Sequence, residues 1–482
     1  MLTIAVHLKG AKALPDLRIV NMGFNLELIK KYDHAGPRYT SYPTANLFSD
    51  KFDRSTYVHN ARASNEHLVP GQISLYFHIP FCDTLCFYCA CNKIVTKNRS
   101  RAVEYLDYLK KEIRLQGELF DSDREVVQLH FGGGTPTFLS NEQIADLLEY
   151  TSYHFYLKQD SRREFSIEID PRGVDVARLA GLRELGFNRI SLGVQDFDPK
   201  VQRAVHRIQS PEETLNLIKA ARQMGFVSTN VDLIYGLPLQ SESTFRETVE
   251  RVLESEPERL SIFNYAHLPQ MFFPQQRIRE ADLPRPEEKL AILNSTVSIL
   301  GKAGYKYIGM DHFAKPDDGL ALAQKNGTLN RNFQGYSTYA DCDLIALGVS
   351  AISKVDLCYS QNHKKLEDYY ADLDHDRLPI ARGTEMSQDD LTRRAVIEKL
   401  ICYYTVDLNT VCRSAGVDAK EYFGYEWEVL ENLQYDGLVK LDHRNHRVDV
   451  TPSGRFLLRT ICMTFDHYLR RPGAQGTYSK VI

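Results

Sequence analysis

Short apolar, β-branched runs recur along most of the chain, each followed by an amphipathic stretch with helical period. The runs predict strands at Ile73–His78, Val126–Phe131, Phe165–Ile169, Arg189–Val194, Ser228–Ile234 and Arg259–Tyr265, with a seventh at Tyr305–Met310. Between them, Ala102–Leu119, Asn141–Phe155, Val174–Leu185, Pro211–Met224 and Glu242–Glu254 predict helices. Such even alternation argues for a parallel sheet with right-handed crossovers, open or curved into a barrel. Most of the strands end in polar or glycine-rich motifs: GGGTP at Gly132–Pro136, EIDP at Glu168–Pro171, GVQDF at Gly193–Phe197 and DLIYGLP at Asp232–Pro238. In βα folds the site forms at the carboxyl ends of the strands, so these motifs should converge in one pocket.

From about Met386 the texture changes. Helical stretches Gln388–Tyr404 and Ala419–Tyr435 precede a hairpin-like Val439–Thr451 and a last helix, Gly454–Arg471. Helix, hairpin, helix is a winged-helix-like order, but its acidic and basic residues interleave, so a lid or packing domain is expected rather than a nucleic-acid reader.

The length of 482 residues exceeds one ordinary domain. The expected division is an extension over 1–21, an N-terminal strap over 22–70, a catalytic barrel with linker over 71–385 and a helical domain over 386–482. A formal net charge of −4 gives no dominant attraction to nucleic acid or anionic membranes. No apolar run approaches the length of a membrane span. Met1–Val20 mixes Lys, His, Asp and Pro into its apolar residues, a poor signal peptide, and reads as disordered or as an extension upstream of Met22. Five of the nine cysteines, Cys342, Cys358, Cys402, Cys412 and Cys462, are scattered like small buried hydrophobes, which fits a reducing cytoplasm rather than a disulfide scaffold. No interface stripe stands out, so a monomer is expected.

The other four crowd into HIPFCDTLCFYCACNK, His78–Lys93. Cys82, Cys86 and Cys89 are spaced C-x3-C-x2-C directly after a predicted strand. Thiolates this close can wrap one soft-metal centre, with sulfide-bridged iron the main alternative to zinc. A structural zinc site would normally show a second CxxC or CxxH pair, and the chain has none. Three thiolates leave one iron without a protein ligand, a position where a substrate can chelate. Cys91 could supply a fourth thiolate, though its C-x-C spacing competes with Cys89 for the same face. The bland alternative is a set of structural thiols.

This loop resembles the signature of radical S-adenosylmethionine enzymes. Further motifs narrow the likeness: YDHAGPRYTSYPTA, HFGGGTPT, SIEIDPR, GVQDF, TNVDLIYGLP, FNYAHLP, GMDHFAKPDD, RNFQGY, GVSAIS and the closing SKVI. Together they resemble the oxygen-independent coproporphyrinogen III oxidases from about Met22 onward. The related haem-chaperone branch usually carries an aromatic residue where this chain has Cys91.

The resemblance implies an α/β fold, a partial TIM-like (β/α) barrel of the radical SAM type with an N-terminal strap and a mostly helical, winged-helix-like C-terminal domain. It implies that Cys82, Cys86 and Cys89 hold a [4Fe-4S] cluster whose remaining iron is chelated by S-adenosylmethionine, which is cleaved to a 5′-deoxyadenosyl radical. Tyr76 and Tyr88 match aromatic positions flanking the cofactor, with core packing the plain alternative. Gly132, Gly133, Gly134 and Thr135 match the loop that contacts the cofactor's methionine amine. Arg207 suits a carboxylate, Asp232 and Gln195 suit ribose hydroxyls, and Glu168 suits an ammonium or ribose. A second S-adenosylmethionine is implied beside the first, contacting backbone near Gly133, Thr135 and Ala266 together with Phe333, Gln334 and Ile352.

The implied reaction is oxidative decarboxylation of two propionates of coproporphyrinogen III to vinyl groups, fed by a flavodoxin-type electron donor. A tetracarboxylate should want basic residues, and Arg38, Lys93 and Arg331 fall in matching motifs. Tyr39 and Tyr42 suit either a tetrapyrrole face or a packing strap. The rivals are a haem-delivering protein, a radical methyltransferase or ring-opening enzyme acting on haem, and a structural metal protein.

Overall fold

The computed structural model describes residues 26–32, 34–340, 342–471 and 478. The expected extension, Met1–Val20, and the closing SKVI lie outside the described residues. Six parallel strands form the heart of the molecule: β1 (Ile73–Ile79), β2 (Glu125–Gly133), β3 (Glu164–Ile169), β4 (Arg189–Gln195), β5 (Ser228–Tyr235) and β6 (Arg259–Asn264). They lie side by side in chain order, as consecutive right-handed βαβ units require. The sheet path does not close on itself, so the barrel is partial.

The crossover helices begin where side chains can satisfy their free amides. Ser140 forms a capping box with Gln143, Asp175 accepts from the Arg178 amide, and Ser210 from that of Glu213 with Pro211 next in line. Each strand splits its residues between two faces. Ile167 and Ile169, Leu192 and Val194, and Val231 and Leu233 are buried in the main core with the helices. The alternate positions, Ser166 and Glu168, Ser191, and Asn230 and Asp232, line the inside. The barrel interior is therefore a polar cavity, of about 310 Å³, rather than the plug of branched side chains that fills a complete eight-stranded barrel.

Three predicted elements differ. The helix predicted over Ala419–Tyr435 is two, Ala419–Tyr422 and Gly424–Tyr435, parted at Phe423. The seventh strand, predicted at Tyr305–Met310, is Lys306–Gly309 and does not extend the parallel series. Met310 and Asp311 both adopt left-handed backbone (φ 43° and 77°), turning the chain back so that His312–Ala314 pairs antiparallel with β6. The last helix, predicted over Gly454–Arg471, is three short pieces: Gly454–Leu457, Leu458–Met463 and His467–Arg470. Asp466 breaks it, extended and capping the Tyr468 amide while accepting the Tyr39 hydroxyl at 3.0 Å.

On the far side of β1 the sheet continues through Asp343–Leu347 (parallel), then Ile352–Val355, Cys358–Asn362 and Ile380–Glu385 (antiparallel). The C-terminal region builds a second core of its own around Ile397, Leu400, Ile401, Leu430 and Ile461, with a three-stranded sheet that includes the hairpin Val439–Asp442/Arg447–Val450. Tyr39 and Tyr42 are buried in that core, 4% and 1% exposed, so these rings pack against the C-terminal region rather than standing open at the barrel mouth. No helix among the described residues is long and apolar enough to cross a membrane.

Candidate active site

β1 delivers the cysteine loop. Beyond Pro80, the short strand Phe81–Cys82 pairs with Ile94–Val95, so the loop is pinched shut at its base. Phe81, wholly buried between Tyr105 and Phe138, anchors that base. Further ties hold the loop: His78 Nε2 pairs with the Asn92 carbonyl at 3.0 Å, and the Phe87 amide donates to the Val205 carbonyl at 3.0 Å.

The glycine run at the end of β2 lies against this base. The Gly134 amide donates to Ile79 O at 2.8 Å and the Thr135 amide to Phe81 O at 2.8 Å. A Cβ on Gly134 would sit 2.7 and 2.8 Å from the Pro80 and Phe81 carbonyl oxygens, so only glycine allows this approach. Gly133 has φ +112°, and a Cβ there would meet the His78 ring at 2.8 Å.

Cys82, Cys86 and Cys89 line one wall of a cavity of about 170 Å³, with Tyr88 beside them. Gly133, Gly134 and Thr135 line it as well, together with Glu168, Gln195, Arg207 and Asp232. Tyr76 and Gly132 are not among its lining residues: the Tyr76 ring stacks on His130 at 5.8 Å and packs against Gly132. Gln334 lines the adjoining barrel cavity, which shares Glu168, Ser191 and Asp232 with the cysteine pocket. Phe333 lines another small cavity beside Tyr359, Ile352 packs near it, and Ala266 follows β6, its carbonyl accepting from Gln275. These last positions are not part of the cysteine pocket. Of the candidate basic residues, Lys93 lines the pocket and donates to Cys89 O at 3.0 Å, whereas Arg38 and Arg331 meet elsewhere.

Sequence reasoning missed Asp170 and Arg172, which follow Glu168 in the same EIDPR motif. Arg172 Nη2 donates to Asp170 at 2.6 Å and lies 3.6 Å from the Cys86 sulfur. Arg207 Nη1 reaches the same sulfur at 3.5 Å and Asp170 at 3.1 Å. Burial pushes the Asp170 carboxyl up, but the two guanidiniums outweigh it and hold it at about 2. Burial pushes the Cys82 thiol to about 11 against a hydrogen bond from Thr135, while a hydrogen bond from Cys91 draws Cys89 below the ordinary thiol range. Asp232 is pushed up to about 6 by burial, against the Ser191 hydroxyl that donates to it at 2.7 Å. A bulge between Gly193 and Gln195 leaves Gln195 left-handed (φ 67°) and breaks the ladder at the rim of the pocket.

This donor set fits an iron–sulfur cluster. Among the described residues no three His, Cys, Asp or Glu side chains converge on one ion. Three thiols spread along one wall suit a cube with a different iron for each. Thr135, Arg172 and Arg207 supply donors to the sulfurs, the kind of contact that stabilises an anionic cluster.

The Radical SAM superfamily pattern matches residues 76–252. The oxygen-independent coproporphyrinogen III oxidase of Pseudomonas aeruginosa is 50% identical over 459 residues, covering 95% of this chain and 99% of that protein. The enzyme of the same description from Escherichia coli K12 is 46% identical, covering 97% and 100%. The solved structure of coproporphyrinogen III oxidase (HemN) from Escherichia coli, a radical SAM enzyme, superposes with a TM-score of 0.87 at 46% identity, covering 92% of this chain and 99% of that one. With the loop, the partial barrel and this extent of identity together, the chain belongs to the oxygen-independent coproporphyrinogen III oxidases, within the radical SAM superfamily.

Proposed function

We propose that the protein converts two propionate side chains of coproporphyrinogen III to vinyl groups without oxygen, giving protoporphyrinogen IX for haem synthesis. Each propionate gives up a hydrogen atom from its β-carbon to the 5′-deoxyadenosyl radical, releases CO2 and passes one electron to a separate one-electron acceptor. The observation that carries this reading is the continuity of the thiol-lined pocket with a polar barrel cavity through Glu168, Ser191 and Asp232.

Cys82, Cys86 and Cys89 hold the [4Fe-4S] cluster, and Arg172 and Arg207 balance its charge. With S-adenosylmethionine bound, such a cluster would supply one-electron reductive radical chemistry able to abstract hydrogen from a C–H bond. The chain's own work is positioning. Gly133, Gly134 and Thr135 let backbone approach the cofactor's amino group, with Glu168 beside them. Asp232 and Gln195 take the ribose hydroxyls, and Arg207 faces the carboxylate. Tyr88 flanks the cofactor, and Tyr76 stacks on His130 beside Gly132. Holding an inert C–H in reach is the main requirement, so shape and carboxylate pairing matter more than a tuned general base.

A second S-adenosylmethionine near Ala266, Phe333, Gln334 and Ile352, a flavodoxin-type electron donor, a monomeric state and a cytoplasmic setting complete the proposal. Anaerobic turnover with coproporphyrinogen III, S-adenosylmethionine and a reductant tests it: protoporphyrinogen IX, CO2 and deoxyadenosine should appear together. Deoxyadenosine release without vinyl product overturns the reading.

A further inference from the structure

Away from the cysteine pocket, Arg38, Arg331, Arg455 and Arg459 surround a cavity of about 50 Å³ that holds a single carboxylate, Asp311. They come from three distant places: the strap, the hairpin Asn330–Asn332/Gly335–Ser337, and two consecutive turns of the C-terminal region that carry Arg455 and Arg459. Four guanidiniums against one carboxylate leave a surplus of three positive charges in that wall. Like charges so crowded repel one another, and burial pulls the Arg459 guanidinium down to about 10, with Arg38 adding to the fall.

The donors are not used up by the protein. Arg331 Nε and Nη1 and Arg455 Nε are buried without a hydrogen-bond partner. Arg331 is held over the Tyr336 ring at 4.8 Å and Arg455 over Tyr404 at 4.4 Å, so both forks are fixed in place. Arg459 donates to the Gly36 and Pro37 carbonyls and Arg38 to Asn264 O at 3.2 Å, which pins the strap across the cavity. Buried, preoriented and unsatisfied guanidinium donors cost stability unless an anion completes them.

Phe263 lines both this cavity and the polar barrel interior, which in turn shares three residues with the cysteine pocket. We propose that the Arg38–Arg331–Arg455–Arg459 cavity is the socket for a propionate carboxylate that does not react. The inference rests on the substrate reading above. The volume admits a carboxylate but no pyrrole ring, so it grips one arm of the macrocycle while another arm reaches the cofactor. A planar guanidinium fork matches a carboxylate bidentately, and a retained propionate keeps its charge through both turnovers.

Arg331→Gln and Arg455→Gln test this, with Arg203→Gln, an exposed arginine in a different groove, as control. Each socket variant should raise KM for coproporphyrinogen III about tenfold with kcat changed far less, the loss expected for one charge-assisted hydrogen-bonded contact. Fluorescence titration with coproporphyrin III, which needs no turnover, should show Kd rising by a similar factor, and Arg331→Lys should recover part of it. Cluster absorbance and melting temperature serve as fold controls. Unchanged KM and Kd in both Gln variants overturn the socket while wild-type vinyl formation keeps the substrate reading. A wild type that binds coproporphyrin III through these arginines yet forms no vinyl product would overturn the reaction and keep the socket.

Discussion

At the scale of single residues, the pocket depends on charges and on missing side chains. Asp232 accepts from Ser191 and Asn230, and it is ionised above a pKa that burial raises to about 6. As pH falls through that value the carboxylate gains a proton and loses acceptor capacity toward ribose hydroxyls. S-adenosylmethionine affinity should therefore weaken below about pH 6 and level off above it, measured by equilibrium binding to the anaerobic protein. Asp232→Asn should bind about tenfold more weakly at pH 8, as expected for losing a charged acceptor, and should lose that pH dependence. Gly134 makes the complementary case. An added methyl group must push on the backbone carbonyls of Pro80 and Phe81, which cannot swing aside as a flexible side chain would. Gly134→Ala should displace the base of the cysteine loop and lower the iron content of the reconstituted protein by more than half. Its far-UV circular dichroism should stay that of the parent. Full iron content in this variant would show that the loop yields more easily than its contacts suggest.

At the scale of elements, legibility followed periodicity. The six parallel strands and five crossover helices matched the predicted runs to within a few residues, because each carries an apolar set that must be buried, and four of the five helices start at a capping side chain. What escaped was decided by contacts remote in the chain. The Met310–Asp311 reversal and the break at Asp466 carry no local signal, since ordinary residues occupy both and tertiary partners hold them. The strands beyond Asp343, flanking β1, were missed for a related reason: segments such as Ile352–Val355 are short, and sheet position supplies what their pattern lacks. Site legibility followed the same divide. Motif residues at strand ends, from Cys82 to Asp232, meet in one pocket, while Arg455 and Arg459 gave no sign, because a lone arginine in a helical stretch looks like solvated surface. The C-terminal helices offer a direct test of element packing. Arg393 on Gln388–Tyr403 pairs at 2.5 Å with Glu426 on Gly424–Tyr435, Glu426 being only 1% exposed, and Arg470 reaches the same carboxylate. Glu426→Ala removes the buried partner of both Arg393 and Arg470, leaving Arg393 only its pair with Asp389 on the same helix, and should cost about 3 kcal/mol in chemical unfolding. Arg393→Met combined with Glu426→Leu should cost clearly less than either single change, because no buried charge is then left alone.

For the whole molecule, the strap joins parts that sequence distance keeps apart. It leaves the barrel edge, lends Arg38 to the arginine cavity, and buries Tyr39 and Tyr42 among the C-terminal helices. The Tyr39 hydroxyl donates to Asp466 at 3.0 Å, and the Tyr42 hydroxyl pairs with His467 at 3.1 Å. Asp466→Ala would leave a buried phenol without its acceptor, a loss of about 1–3 kcal/mol. Tyr39→Phe removes the donor itself, so the double variant should lose less than the sum of the singles. The functional consequence separates a strap that only packs from one that also aligns the substrate socket. Arg38 is the residue directly before Tyr39, so loosening Tyr39 shifts its guanidinium. Asp466→Ala should accordingly raise KM for coproporphyrinogen III severalfold at a temperature well below its melting point, with kcat nearly unchanged. Adding Tyr39→Phe should restore part of both the melting temperature and KM. A variant that melts earlier but keeps the parent KM would confine the strap to packing and leave the arginine cavity to be aligned by the C-terminal region alone.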